Sequence, residues 1–290
     1  MMGRNALVMG GGGVLGIAWE TGVLAGLAEA GVDVTQADLL VGTSAGSVVA
    51  TQIGQGRTVG EMVEAHLQNS NADSQLPMGE FDLSYLVSVF QKWGAFSGMT
   101  EANCAEIGAM SLAAKTVTED EFVGPIGGMI GPEWSDRDVR LTAVDATTGE
   151  FRVWSRDDGV DVRRAVASSC AVPGMFPCVT INGKRYQDGG VRSGTNADVA
   201  SGFEQVLIIA PLGARGTGID VLMGRQARDE AEALSREGAQ VELVFPDAKA
   251  LEVMGVNLMD PTLRPATAEA GMRQGRELAA LVQSSWALAR

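Results

Sequence analysis

The pentapeptide Gly42-Thr43-Ser44-Ala45-Gly46 constrains this chain more than any other feature. It follows the apolar run Asp38-Leu39-Leu40-Val41 and precedes a helix-compatible stretch from Ser47 to Ile53. A G-x-S-x-G sequence between a buried strand and a helix reads as a nucleophile elbow. The glycines permit a turn too tight for side chains, and the turn lifts the serine hydroxyl out of the backbone. The helix N-terminus behind Ser44 adds partial positive charge where an alkoxide or oxyanion would develop. Taken alone, the pentapeptide also fits a Gly-rich turn with an ordinary capping serine, so its neighbours decide its meaning.

The N-terminal region supplies the first neighbour. Asn5-Ala6-Leu7-Val8-Met9 reads as a buried strand that runs into Gly10-Gly11-Gly12-Gly13-Val14-Leu15-Gly16 and then into the helical stretch Ile17 to Ala30. Successive glycines let backbone N–H groups converge on one spot, which suits an anion. Gly11 to Gly16 also satisfies G-x-G-x-x-G, with Asp33 or Asp38 where a ribose-binding acid would fall, so a dinucleotide or phosphate loop is the alternative. No Lys-Ser/Thr pair follows the glycines, which excludes a Walker loop. An oxyanion hole beside a nucleophile elbow explains both glycine-rich turns together.

A hydroxyl nucleophile needs a base. The chain has one histidine, His66, within the charged amphipathic stretch Gly60-Glu61-Met62-Val63-Glu64-Ala65-His66-Leu67, which reads as a surface helix with no catalytic part for the imidazole. Asp188, in Tyr186-Gln187-Asp188-Gly189-Gly190, is the better candidate: an aspartate before two glycines sits in a tight turn after a short strand, with its carboxylate free to face a cleft. An ordinary Asp-Gly turn fits the same residues.

These stretches resemble the patatin-like phospholipases. Gly10–Gly16 is similar to that family's oxyanion loop, and Gly42-Thr43-Ser44-Ala45-Gly46 to its serine motif. Ala167-Ser168-Ser169-Cys170-Ala171-Val172-Pro173-Gly174-Met175-Phe176-Pro177 resembles the stretch before the family's aspartate, and Asp188-Gly189-Gly190 the aspartate motif itself. Thr142 to Glu150 is a weaker match. The resemblance runs from Leu7 to about Gly190; the chain beyond Asn196 carries no motif. It implies a three-layer α/β/α fold with a central, mainly parallel sheet. It also implies a lipid acyl hydrolase with a Ser44–Asp188 dyad, an oxyanion hole from the N–H groups of Gly11, Gly12, Gly13 and Ala45, and no metal or organic cofactor. Leu15 departs from the pattern, because the family usually carries Arg or Lys there. That raises a rival expectation of a catalytically weak lipid-binding protein, beside the nucleotide-binding alternative.

Composition limits the partners. A net charge of −14 argues against nucleic acid and against steady attachment to anionic membranes, leaving at most transient membrane contact and favouring a lipid or acyl-ester substrate that is neutral or zwitterionic. The three cysteines, Cys104, Cys170 and Cys178, lack metal-ligand spacing and suggest a reducing compartment. Neither a signal peptide nor an apolar run near the roughly 18 residues of a membrane span is evident. A cytoplasmic location is therefore expected; nothing in the sequence sets the oligomeric state.

Short apolar runs alternating with helical stretches predict an α/β fold. The expected strands are 6–9, 39–41, 139–144, 150–154, 205–210 and 241–245. The expected helices are 17–30, 47–55, 59–68, 162–168, 225–237 and 266–288. Residues 1–290 read as a single domain. Its region 69–131, rich in Met and aromatics (Leu76, Met78, Phe81, Tyr85, Leu86, Phe90, Trp93, Phe96, Met99), is either a helix packed on the core or a lid over an acyl-chain site. Gly213–Gly218, after a strand end, is a second candidate mobile loop.

Overall fold

The computed structural model describes residues 4–68 and 82–286. An eight-stranded sheet forms its centre. Strands β1 (Asn5–Met9), β2 (Leu39–Gly42), β3 (Asp138–Asp145), β7 (Gln205–Ile209) and β8 (Gln240–Val244) run parallel in the order β3-β2-β1-β7-β8. Strands β4 (Phe151–Trp154), β5 (Val179–Ile181) and β6 (Lys184–Asp188) add to the β3 side as antiparallel partners. Every residue of β1 and β2 is buried, as a strand covered on both faces requires. The parity of the side chains divides two cores. Leu7, Met9, Leu40, Leu207 and Ile209 point into the larger one, and Ala6, Val8, Leu39, Val41, Val206 and Ile208 into the smaller.

Helices fill both layers. Helices α1 (Gly13–Glu29), α2 (Ala45–Gly54), α7 (Val162–Ser169) and α10 (Arg264–Ser285) contribute to the larger core, and α8 (Ile219–Arg236) places Leu234 in the smaller. The α1–α10 pair packs unusually close. A Cβ added to Gly22, Gly26, Gly271 or Gly275 would lie 2.1–2.5 Å from backbone carbonyl oxygens of the facing helix. The motif-free C-terminal part of the chain is thus fixed against the helix that begins in the glycine loop.

All six expected strands appear, within a residue or two of their expected limits. Where the sequence signals only a short strand before Asp188, the structure has the β5–β6 hairpin. Its turn is Asn182-Gly183, both at positive φ (50° and 78°), the backbone that Asn-Gly favours in a two-residue hairpin. In the Met- and aromatic-rich region, Leu76, Met78 and Phe81 lie outside the described residues. Beyond them stand α4 (Leu83–Gly94), α5 (Glu101–Ala113) and α6 (Glu119–Met129). Val89 and Trp93 of α4 and Cys104 and Ile107 of α5 form a third cluster with Val144 and with Leu222 and Met223 of α8, and Tyr85, Phe90, Phe96 and Met99 pack against it.

Candidate active site

The carboxyl ends of β1 and β2 meet at Ser44. The serine joins β2 to α2 with φ 52° and ψ −119°, a left-handed backbone that costs a non-glycine residue roughly 1–3 kcal/mol and persists only when its surroundings hold it. The flanking glycines are required by space. A Cβ on Gly42 would come within 2.5 Å of Ser47 Cα, and one on Gly46 within 2.1 Å of the Met9 carbonyl oxygen. The strained peptide is held on both sides. The Ser44 N–H donates to Ser169 Oγ (2.9 Å), while its carbonyl accepts from Ser47 Oγ (2.6 Å), the Ser47 N–H (2.8 Å) and Cys170 Sγ (3.3 Å).

The same stretch reaches the aspartate. Asp188, the last residue of β6, donates its N–H to the Ala171 carbonyl (3.0 Å). Ser169, Cys170 and Ala171 therefore span the gap between serine and aspartate, which explains why an apolar block ending in Ser-Ser-Cys precedes the Asp-Gly-Gly turn. The sequence does not single out Ser169, because its partner Ser44 lies 125 residues away and no local pattern joins them. Gly189 is fixed by contact, since its Cβ would fall 2.2 Å from Thr142 Oγ1 on β3.

Asp188 is 2 % exposed. Its Oδ1 accepts from the Gly190 N–H at 2.7 Å. Its Oδ2 is buried with no hydrogen-bond partner among the described residues. Burial pushes the carboxyl from 3.8 up to about 7, opposed by the nearby Ser44 hydroxyl and by the Gly190 N–H. The Ser44 hydroxyl holds the acid down, and catalytic hydrogen bonds commonly tighten only when substrate is bound. Cys170, beside them, is pushed up to about 12 by burial and by the Asp188 charge, and stays a neutral thiol.

The glycine loop passes over the serine: a Cβ on Gly11 would lie 3.9 Å from Ser44 Oγ. The loop is stitched to the elbow by the Gly46 N–H donating to the Gly10 carbonyl (2.9 Å). One expected oxyanion donor is corrected. The Gly11 N–H already donates to the Gly194 carbonyl at 2.8 Å, and a donor committed inside the protein cannot serve a developing charge without breaking that bond. The N–H groups of Gly12, Gly13 and Ala45 meet no acceptor among the described residues, as befits the first turns of α1 and α2. Gly13 sits at φ 63°, where glycine is favoured; Gly12 is held instead by Pro211, whose Cβ a side chain would meet at 2.5 Å.

Leu15, where the family usually carries Arg or Lys, is fully buried in the larger core. Two further expectations change. His66 is not on a solvated face. It is buried on α3 (Val59–Leu67), its Nδ1 accepts from the Arg264 guanidinium of α10 (3.1 Å from Nε), and burial followed by the Arg264 charge lowers it to about 3, so it is neutral. The Gly213–Gly218 loop is tied down by Asp220, whose carboxylate accepts from the N–H groups of Gly213 (2.7 Å), Arg215 (2.6 Å) and Gly216 (3.1 Å).

A parallel α/β sheet with a strained serine at one strand end and a buried aspartate beside it defines a serine-elbow protein. A family model described as patatin-like phospholipase matches residues 7–201, and the chain belongs to that family. Membership supports lipid hydrolysis as the general activity. Comparison with curated protein sequences gives no match. Among solved structures, VipD from Legionella pneumophila is similar at 12% identity and a TM-score of 0.52, over 96% of this chain and 67% of that one. The type III effector protein ExoU is similar at 15% identity and a TM-score of 0.42, over 96% of this chain and 53% of that one. The VipD likeness supports the fold alone.

Proposed function

We propose that the protein is a carboxylic-ester hydrolase of the phospholipase A, lysophospholipase or esterase type, with Ser44 as nucleophile and Asp188 as its base. The observation that carries this reading is the pairing of a strained serine with a buried aspartate whose pKa is raised to about 7. A carboxylate near 3.8 is a poor acceptor for a hydroxyl proton; one near 7 is matched to neutral pH.

Ser44 Oγ adds to the ester carbonyl carbon, its proton passes to Asp188 Oδ2, and the carbonyl electrons move onto oxygen. The N–H groups of Gly12, Gly13 and Ala45 receive that oxyanion, each such donor being worth about 3 kcal/mol of barrier. Collapse expels the alcohol, which takes the proton from Asp188 and leaves an acyl-serine. Water, deprotonated by Asp188, then releases the acid and restores the serine. A neutral or zwitterionic acyl lipid fits the net charge of −14 better than an anionic one. The three buried free thiols fit a cytoplasmic site of action.

The test is turnover of a short p-nitrophenyl ester. Ser44→Ala and Asp188→Asn should each lose on the order of a thousandfold or more in kcat with an unchanged melting temperature. Near-native kcat in either variant contradicts the dyad. The nucleotide-binding alternative would instead show as tight nucleotide binding with no reaction of Ser44 toward phosphonates. Lipid binding without turnover would favour the catalytically weak lipid-binding alternative.

A further inference from the structure

Asn196 lies eight residues beyond Asp188, just before the short helical turn 197–200, and it is completely buried. Its backbone is left-handed (φ 48°, ψ 41°), a conformation that asparagine tolerates better than most residues. The side-chain Nδ2 stands within hydrogen-bonding distance of four acceptors: the Ser193 carbonyl (2.8 Å), Thr43 Oγ1 (3.1 Å), the Gly189 carbonyl (3.1 Å) and Thr142 Oγ1 (3.3 Å). Its Oδ1 accepts from Arg192 Nη1 (2.8 Å), which fixes the amide orientation.

Two of those acceptors matter by position. Thr43 immediately precedes Ser44, and Gly189 immediately follows Asp188. One amide therefore touches both arms of the candidate dyad, and Thr142 of β3 lies between them, 2.8 Å from Thr43 Oγ1 and packed against Gly189. The amide is itself anchored from α8. Glu230 Oε2 accepts from Thr195 Oγ1 (2.5 Å) and from the Ala197 N–H (2.8 Å), the residues on either side of Asn196. A rigid donor bonded to both neighbours of the reacting pair sets the span between them, and reaction rate is steeply sensitive to that span.

We infer that Asn196 is a positioning residue whose amide sets the distance between Ser44 and Asp188. The inference rests on the Ser44–Asp188 reading.

Asn196→Gly is the direct test, because glycine keeps the left-handed backbone and removes only the amide. Thr43→Val removes a single acceptor at nearly constant volume and serves should the glycine variant not fold. The number of working sites is counted by fluorophosphonate titration, so that misfolding is not read as slow chemistry. Per titrated site, Asn196→Gly should lose about ten- to a hundredfold in kcat with KM within about threefold, and Thr43→Val should lose less. The acid limb of kcat/KM should also move upward. The Ser44 hydroxyl lowers the Asp188 pKa, so separating the two leaves burial less opposed. A purely structural role would lower the count of working sites and leave the limb in place. With Ser44→Ala inactive, a folded Asn196→Gly enzyme of native kcat and native limb overturns the inference alone. If Asn196→Gly does not fold, a native limb and kcat in Thr43→Val overturn it equally. A Ser44→Ala protein that still turns over overturns the dyad and this inference together.

Discussion

At the scale of single residues, the site is built from two costs that oppose folding. Ser44 holds a backbone that a serine avoids, and Asp188 holds a carboxyl away from water. Both are compensated by neighbours: Ser169, Ser47 and Cys170 for the first, Gly190 for the second. The Asp188 cost carries a sign in pH. Its folded pKa of about 7 lies above the unfolded 3.8, so the contribution of this one carboxyl to stability is full below 3.8 and is lost as pH rises to 7. On the proposed dyad, activity runs the other way, because only the ionised carboxylate can accept the serine proton. The kcat/KM profile should therefore rise from an acid limb centred near pH 7, measured on an ester whose own hydrolysis does not titrate there. A limb near pH 4 would mean that Asp188 is solvated, or that it is not the base.

At the scale of elements, what the sequence made legible was local, and what it hid was long-range. The strand–glycine–helix units around Gly10–Gly16 and Gly42–Gly46 lie within short windows, and their periodicity and turn residues were enough. The Asn182-Gly183 hairpin is equally local, and its Asn-Gly pair is the turn signal within the short strand before Asp188. The loss of Gly11 from the donor set depends on the carbonyl of Gly194, far along the chain, and no window near Gly11 contains it. Ser169 and Asn196 were hidden for the same reason. His66 shows the effect most directly. Its helix reads as amphipathic and wet, but α10 packs across it and Arg264 takes its Nδ1. His66→Ala should leave kcat/KM within about threefold and cost on the order of 1–3 kcal/mol by removing an acceptor from a buried guanidinium. Because the folded pKa near 3 lies below the unfolded 6.5, the histidine's contribution is full above pH 6.5 and is lost as pH falls toward 3. Denaturation at pH 7.5 and at pH 5 should show the wild-type advantage narrowing in acid. A large loss of turnover with unchanged stability would instead give the imidazole a chemical role.

At the scale of the whole molecule, charge decides which surfaces the enzyme can approach. The arginines that might have offset a net charge of −14 near β4 and α7 are already paired. Arg152 meets Asp158, Arg156 meets Asp136 at 2.9 Å, Arg163 meets Asp161 at 2.7 Å and Arg164 meets Glu119. Leu15, where the family usually carries Arg or Lys, is inside the core and adds no surface charge. Zwitterionic or neutral vesicles should consequently be hydrolysed faster than anionic ones at low ionic strength, with the gap closing as salt is added. Faster turnover of anionic vesicles at low salt would refute this.

The predicted losses of turnover and the acid limb presuppose that Ser44 is a nucleophile activated by Asp188. Labelling with a fluorophosphonate, followed by mass mapping of the modified peptide, tests that claim most directly. The adduct should sit on Ser44, be absent from Ser44→Ala, and form far more slowly in Asp188→Asn at pH 8. An adduct on any other residue, or labelling at the native rate in Asp188→Asn, would contradict it.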